Sequence, residues 1–143
     1  MAVLVVGGAG YIGSHAALAL KRRGYEPIIY DNLTAGHASL AQDFELVVGD
    51  ISDTAKLAHL LQRVDSVMHF AAHAYVGESI QQPRKYFDNN VSKTLTLLST
   101  LLDAGVDKVV FSSSCATYGI PREQPIAEDH PQNPINPYGA STS

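Results

Sequence analysis

The segment 1–31 constrains the fold most strongly, because it places a strand, a glycine loop, a helix and a second strand in a fixed order. Residues 3–6 form an apolar, β-branched run, typical of a strand buried on both faces of a parallel sheet. A helical stretch follows over residues 14–23, and residues 27–30 form a second apolar strand. This succession predicts a strand–helix–strand unit with parallel strands.

Three glycines spaced three residues apart, Gly7, Gly10 and Gly13, connect the first strand to the helix. Gly7 permits a tight turn, Gly10 lets the backbone approach a pyrophosphate, and Gly13 lets the helix and strand pack closely. Asp31 ends the second strand, where a carboxylate can accept both ribose hydroxyls, which favours NAD over NADP. The pattern predicts a dinucleotide site for NAD. The alternative, a glycine turn without a ligand, leaves Asp31 unexplained.

The remainder of the chain continues the alternation of strands and helices. Further strands are predicted over residues 45–48, 65–70 and 108–111, and helices over residues 53–63, where Asp53 is the cap, and 83–104. Strands that alternate with helices predict an α/β fold with a doubly wound parallel sheet, the Rossmann fold, in one domain over residues 1–143. Ligands of such sheets bind beyond the carboxyl ends of the strands.

The helix predicted over residues 83–104 carries an apolar stripe at helical spacing. We expect this stripe to face the core, because apolar residues three or four positions apart lie on one side of a helix. The stripe consists of Val91, Leu95, Leu98 and Leu102. After residue 120 the chain becomes rich in proline and loses its periodicity, which indicates a long loop, and such loops usually belong to a functional site.

Composition excludes several classes of partner. The chain has 143 residues, 17% of them charged, and a net charge of −4, which gives no reason to expect nucleic acid or an anionic membrane as a partner. The single cysteine, Cys115, excludes an internal disulfide and indicates a reducing, cytoplasmic location. His15, His69 and His73 lack the spacing of metal ligands, and no metal site is predicted.

Eight short motifs occur along the chain, most of them at the ends of the predicted strands or at the starts of helices and loops. They are GGAGYIGSH at 7–15, DNL at 31–33, GDI at 49–51, HFAA at 69–72, VGES at 76–79, DNNV at 88–91, SSS at 112–114 and NPYG at 136–139. In these motifs the chain resembles the extended short-chain dehydrogenase/reductase family and, within it, the UDP-sugar 4-epimerases, UDP-glucose 4-epimerase above all. The VGES motif and the segment 112–119 are the parts most specific to 4-epimerases.

The resemblance implies a reaction without net redox change, the interconversion of UDP-galactose and UDP-glucose with bound NAD. Tyr138 matches the family's base, which takes the proton from the sugar 4-hydroxyl while hydride passes from C4 to nicotinamide. Ser114 matches the hydroxyl that hydrogen-bonds the sugar oxygen and the tyrosine. The positions that match cofactor contacts are Gly7, Gly10, Tyr11, Ile12, Gly13, Asp31, Asn32, Asp50, Ile51, Phe70, Ala71, Ala72 and Asn89.

Two related enzyme classes share parts of this pattern. Sugar-nucleotide 4,6-dehydratases carry Asp-Glu after the residue that matches Ser114, and here these positions are Cys115 and Ala116, which disfavours dehydration. Cys115 lacks a partner base and is predicted to be a packed small residue. The segment 114–119 also resembles UDP-xylose (UDP-arabinose) 4-epimerases, and the identity of the sugar stays open.

The chain departs from the family pattern in its last residues. Thr142 stands four residues after Tyr138, where the family has a lysine that anchors the nicotinamide ribose and keeps the tyrosine ionised. Ala74 stands where many UDP-glucose epimerases, but not several UDP-pentose epimerases, have a lysine near the cofactor. Family members continue with a domain that binds the UDP-sugar and are usually dimers, so we expect an incomplete NAD-binding domain, truncated before the substrate domain. The alternative is a non-catalytic NAD-binding half-domain.

Overall fold

The computed structural model of the chain describes all 143 residues and contains one sheet of five parallel strands. The strands lie in the order β3-β2-β1-β4-β5, with β1 in the middle. This is the strand order of a Rossmann fold, which confirms the predicted α/β fold class. The strands are β1 (Ala2–Val6), β2 (Glu26–Asp31), β3 (Glu45–Val48), β4 (Ser66–His69) and β5 (Val109–Phe111).

The chain contains six α-helices. A π-helical turn over Asp88–Ser92 interrupts the helix that was predicted over residues 83–104, and two short 3₁₀ turns cover Ala38–Ala41 and Cys115–Tyr118. No helix has the length and apolarity that crossing a bilayer requires. The α-helices are α1 (Tyr11–Arg22), α2 (Thr54–Leu61), α3 (Val76–Gln81), α4 (Pro83–Phe87), α5 (Lys93–Asp103) and α6 (Pro137–Ser141).

The chain divides into two compact units. The first unit comprises residues 1–71 and 93–112 and contains the sheet with α1, α2 and α5. The second unit comprises residues 72–92 and 113–143 and contains α3, α4, the π-helical turn and α6. Residues 114 and 138, the two candidates for acid–base chemistry, therefore belong to the same unit.

The core of the first unit covers both faces of the sheet, because side chains alternate along each strand. Leu4 belongs to the cluster that contains Leu57 of α2 and Leu97 of α5. Val5 points to the opposite face and belongs to the cluster that contains Ala17 of α1. The central strand β1 is thus buried on both faces, as its apolar run predicted, whereas β5 at the edge of the sheet is exposed.

The strand register brings the carboxyl ends of the central strands to one edge of the sheet. Val6 lies opposite Tyr30 of β2 and opposite His69 of β4. The glycine loop leaves β1 at this edge, Asp31 ends β2 beside it, and Phe70 follows β4. Residues far apart in sequence therefore meet where ligands of parallel sheets bind.

One prediction about α5 is wrong. Three members of the stripe, Leu95, Leu98 and Leu102, are 59%, 37% and 75% exposed, and Val91 is half-buried. The helix carries a second row at the same spacing, and this row is the buried one. It consists of Thr94, Leu97, Thr100 and Leu101, of which the two leucines join the core cluster with α2. Periodicity alone does not decide between two such rows.

His69 is a buried titratable side chain in the first unit. It is 1% exposed, its Nε2 lies 3.0 Å from the Thr94 hydroxyl, and the ring of Phe111 packs at 5.5 Å. Its Nδ1 has no hydrogen-bond partner. Burial disfavours the charged imidazolium and lowers the pKa of His69 from 6.5 to about 4. His69 is therefore neutral in the folded protein at neutral pH.

We predict that His69 makes stability depend on pH in acid. The unfolded chain binds a proton near pH 6.5 and the folded chain only near pH 4, so the free energy of unfolding falls as pH is lowered between these values. The total loss is on the order of 3 kcal/mol. Urea unfolding of wild type and His69→Gln over pH 4–7.5 measures the difference. Equal pH slopes for the two proteins would contradict the prediction.

Candidate active site

The glycine loop is compact because side chains are absent where its backbone turns. Gly7 has φ +76°, a conformation that side chains disfavour, and a Cβ there would lie 2.6 Å from the Ala71 amide nitrogen. A Cβ on Gly13 would meet the Gly7 carbonyl oxygen. The helix begins at Tyr11, earlier than predicted, and both Tyr11 and Ile12 are exposed. The first N–H groups of α1 have no intrahelical acceptor and no side-chain cap, so they are available to hydrogen-bond an anion.

Asp31 is held by backbone amides beside this loop. The side chain is 8% exposed, and its Oδ2 accepts a hydrogen bond from the Ala9 N–H at 3.0 Å. Its Oδ1 accepts from the Leu33 N–H at 2.8 Å. The two amides fix the orientation of the carboxylate at the end of β2 and join it to the glycine loop.

Asp50 lies at the end of β3 in a network of polar side chains. Its carboxylate accepts hydrogen bonds from Ser52, Asn32 and Lys93, and the Lys93 ammonium lies 3.1 Å from Oδ2. Partial burial acts to raise the pKa of Asp50, but the donors from Ser52, Asn32 and Lys93 together hold it well below its usual range. Asp50 therefore stays ionised at neutral pH.

The other predicted cofactor residues occupy different environments. The Ile51 side chain is buried in the core, so only its main chain is available to a ligand. Phe70 and Ala71 are partly buried against the two core clusters. Ala72 and Asn89 belong to the second unit, where Ala72 is exposed and Asn89 is half-buried. The structure brings together Gly7, Gly10, Gly13 and Asp31 in the first unit, with Asn32 bonded to Asp50.

In the second unit, Thr142 connects Ser114 to the helix that carries Tyr138. The Ser114 hydroxyl lies 3.2 Å from the Thr142 hydroxyl and accepts a hydrogen bond from the Ala116 N–H. Thr142 is buried, and its hydroxyl also donates to the Tyr138 carbonyl at 3.3 Å. The two candidate residues are thereby held in one local network. The prediction that Cys115 is packed is wrong: the 3₁₀ turn after Ser114 buries Thr117 and leaves Cys115 on its exposed side.

Asn90, which the sequence analysis missed, anchors α6 from the π-helical turn. Its Oδ1 accepts from the His73 N–H at 2.8 Å, and its Nδ2 donates to the His73 carbonyl and to the Ser141 hydroxyl, each at 3.0 Å. Ser141 in turn donates to the Tyr138 carbonyl at 2.8 Å. Two asparagines inside a predicted helix were the available signal, because asparagine is disfavoured there without a polar partner.

Tyr86, also missed, packs against the Tyr138 ring. Tyr86 is fully buried, and the two ring centroids lie 6.4 Å apart at 72°, an edge-to-face contact. The Tyr86 hydroxyl donates to Glu78 at 2.7 Å and accepts from the Tyr75 N–H. Burial, followed by the Glu78 hydrogen bond, raises the pKa of Tyr86. The Tyr86 phenol therefore stays neutral, and its ring forms the fixed surface against which the Tyr138 ring packs.

We predict that Tyr86 contributes to the stability of the second unit. Tyr86→Phe keeps the ring contact and removes the hydroxyl, and we expect a loss of about 1–2 kcal/mol. Tyr86→Leu also removes the ring and should cost about 3 kcal/mol or more. Phe87→Leu, at an exposed neighbour, is the matched control and should change little. Urea unfolding of the three variants measures these differences, and equal losses for Tyr86→Leu and Phe87→Leu would refute the assignment.

Comparison with known proteins identifies the family. The family model described as NAD dependent epimerase/dehydratase family matches residues 3–142. UDP-glucose 4-epimerase of Rhizobium meliloti (strain 1021) is 53% identical over 139 residues, which is 96% of this chain and 42% of that protein. A putative UDP-arabinose 4-epimerase 2 of Arabidopsis thaliana is 48% identical and is covered over 36% of its length.

A solved structure shows the same fold. The crystal structure of UDP-glucose 4-epimerase from Brucella ovis in complex with NAD has a TM-score of 0.95 and 51% sequence identity, covering 99% of this chain and 44% of that one. The chain thus spans less than half of the length of the relatives it matches. Because the family model covers nearly the whole sequence, the chain belongs to the NAD dependent epimerase/dehydratase family.

Proposed function

We propose that this chain is the NAD-binding part of a UDP-sugar 4-epimerase that interconverts UDP-galactose and UDP-glucose. The observation that carries the proposal is the Asp31 carboxylate, which the Ala9 amide fixes beside the glycine loop. The names of the relatives, with sequence identities near 50%, support the same activity. In this proposal the first unit binds NAD, and the second unit supplies the groups that handle the proton of the sugar.

The residues of the first unit fit a dinucleotide. The open N–H groups at Tyr11 and Ile12 would bind the diphosphate, and a Cβ at Gly7 or Gly13 would close this cradle. The Asp31 carboxylate would accept the ribose hydroxyls, which leaves no room for a 2′-phosphate. Asp50 and the main chain of Ile51 would lie beside the adenine. The remaining proposed cofactor contacts are Gly10, Asn32, Phe70, Ala71, Ala72 and Asn89.

The chemistry of the proposed reaction divides between cofactor and protein. Bound NAD supplies a hydride acceptor that later returns the hydride. The phenolic oxygen of Tyr138 takes the proton of the sugar 4-hydroxyl and gives it back when the hydride returns. The Ser114 hydroxyl hydrogen-bonds the same sugar oxygen. Tyr86 and Asn90 hold the Tyr138 ring and backbone during both proton transfers.

A UDP-pentose is the second candidate substrate. Two plant relatives named as UDP-arabinose 4-epimerases match this chain at 48% and 46% identity. The segment 114–119 resembles such enzymes, and Cys115 and Ala116 disfavour the competing dehydration. Turnover of UDP-galactose and UDP-arabinose, measured side by side, distinguishes the hexose from the pentose as the preferred substrate.

The oligomeric state and the cellular location are also proposed. We propose a homodimer, supported by Leu95, Leu98 and Leu102, which form an exposed apolar stripe on α5. A cytoplasmic location is also proposed, supported by Cys115, which is free and exposed as expected in a reducing compartment.

NAD should raise the melting temperature of the chain, because a ligand that binds only the folded state stabilises it. At an NAD concentration 100 times Kd the gain is about 2.7 kcal/mol. NADP at the same concentration should have little effect, because its 2′-phosphate is repelled by Asp31. Asp31→Ala should weaken NAD binding at least roughly tenfold, and Asp43→Ala, at an exposed carboxylate of the same unit, is the control. A thermal transition that NAD leaves unmoved would refute the proposed function.

Thr142 should limit the rate. Its hydroxyl reaches Ser114 but carries no charge, so little or no turnover is expected in the wild-type chain. Thr142→Lys, made together with a restored C-terminus, introduces the ammonium that favours an ionised tyrosine, and the rate should rise by about 10²–10³ over that of Thr142 with the same C-terminus. Thr142→Met tests the larger side chain without the positive charge and should give no gain in the rate. The readout is the initial rate of UDP-glucose formation from UDP-galactose; equal rates in the two variants would exclude a role for the charge.

A further inference from the structure

Every lone pair of the Asp50 carboxylate is already occupied within the protein. Oδ1 accepts from the Ser52 N–H at 3.0 Å and from the Ser52 hydroxyl at 2.7 Å. Oδ2 accepts from the Asn32 amide at 3.0 Å and from the Lys93 ammonium at 3.1 Å. An ionised carboxylate offers about four lone-pair sites, so a ligand finds no free acceptor on Asp50.

Lys93 differs from the other donors in origin and in charge. Ser52 and Asn32 lie just after β3 and β2, whereas Lys93 is the first residue of α5, 43 positions from Asp50 in sequence. The side chains of the pair are only 28% and 31% exposed, less than those of the Lys56–Asp53 pair at 45% and 41%. Reduced exposure weakens screening by solvent, so the attraction between Lys93 and Asp50 is stronger than that within the more exposed pair.

We propose that Lys93 determines how this chain recognises the base of its dinucleotide. By occupying Oδ2 of Asp50, the ammonium removes the acceptor that would bind the 6-amino group of adenine, and NAD binding becomes independent of that amino group. The inference rests on the proposed function, which places Asp50 beside the adenine. Lys93 is thus a specificity-determining residue that broadens the range of accepted bases.

The test compares two dinucleotides by isothermal titration calorimetry. One is NAD, and the other is an NAD analogue whose base is purine, with hydrogen in place of the 6-amino group. The wild-type chain should bind them with Kd values within about threefold of each other. Lys93→Met frees one lone pair on Oδ2, and NAD should then be preferred about tenfold or more, the effect of one hydrogen bond to a charged acceptor.

Two further variants isolate the role of the ammonium. Lys93→Arg keeps a charged donor and should restore the wild-type ratio. Lys56→Met removes one positive charge elsewhere in the first unit and should leave the ratio unchanged, and thermal unfolding of each variant establishes that it is folded. A wild-type ratio of tenfold or more overturns the inference, as does a ratio near one in Lys93→Met, and the proposed function stands in both cases. Failure of the wild-type chain to bind either dinucleotide overturns both.

Discussion

The hydrogen bond from the Ala9 amide to Asp31 ties the glycine loop to the end of β2. It forms because β1 and β2 pair in a register that sets Val6 opposite Tyr30, so the residues that follow each strand are neighbours. The loop and the acid are therefore oriented before a ligand arrives, which lowers the entropic cost of binding. The dinucleotide site proposed for this chain depends on that single contact between two segments of the first unit.

The second unit stabilises Tyr138 in a helix that is too short to be stable alone. Helix α6 has five residues, and isolated helices of this length do not persist in water. Asn136 caps its first turn, and Asn90 bonds Ser141 from the π-helical turn. Thr142 adds a hydroxyl contact to Ser114 but no positive charge. These contacts hold Ser114 and the helix that carries Tyr138 in one network, and the acid–base role proposed for the two residues depends on that arrangement.

The sequence predicted features that depend on local pattern and missed those that depend on distant contacts. The strand at residues 45–48, the Asp53 cap of α2 and the α/β fold follow from periodicity and capping, and they are confirmed. The prediction that the leucine stripe of α5 faces the core is wrong. The helix carries two rows of residues at helical spacing, and the packing of Leu97 against the core decides which row is buried. The Asn90–Ser141 bond joins residues 51 positions apart, which no local pattern reveals.

The most direct test of the account is a crystal structure of this chain with bound NAD. The account predicts the diphosphate against the N–H groups of Tyr11 and Ile12, and the adenosine ribose hydroxyls on the Asp31 carboxylate. The opposite result would be a dinucleotide bound elsewhere, or an Asp31 carboxylate that contacts only the Ala9 and Leu33 amides while the glycine loop stays empty. Either observation would contradict the central claim.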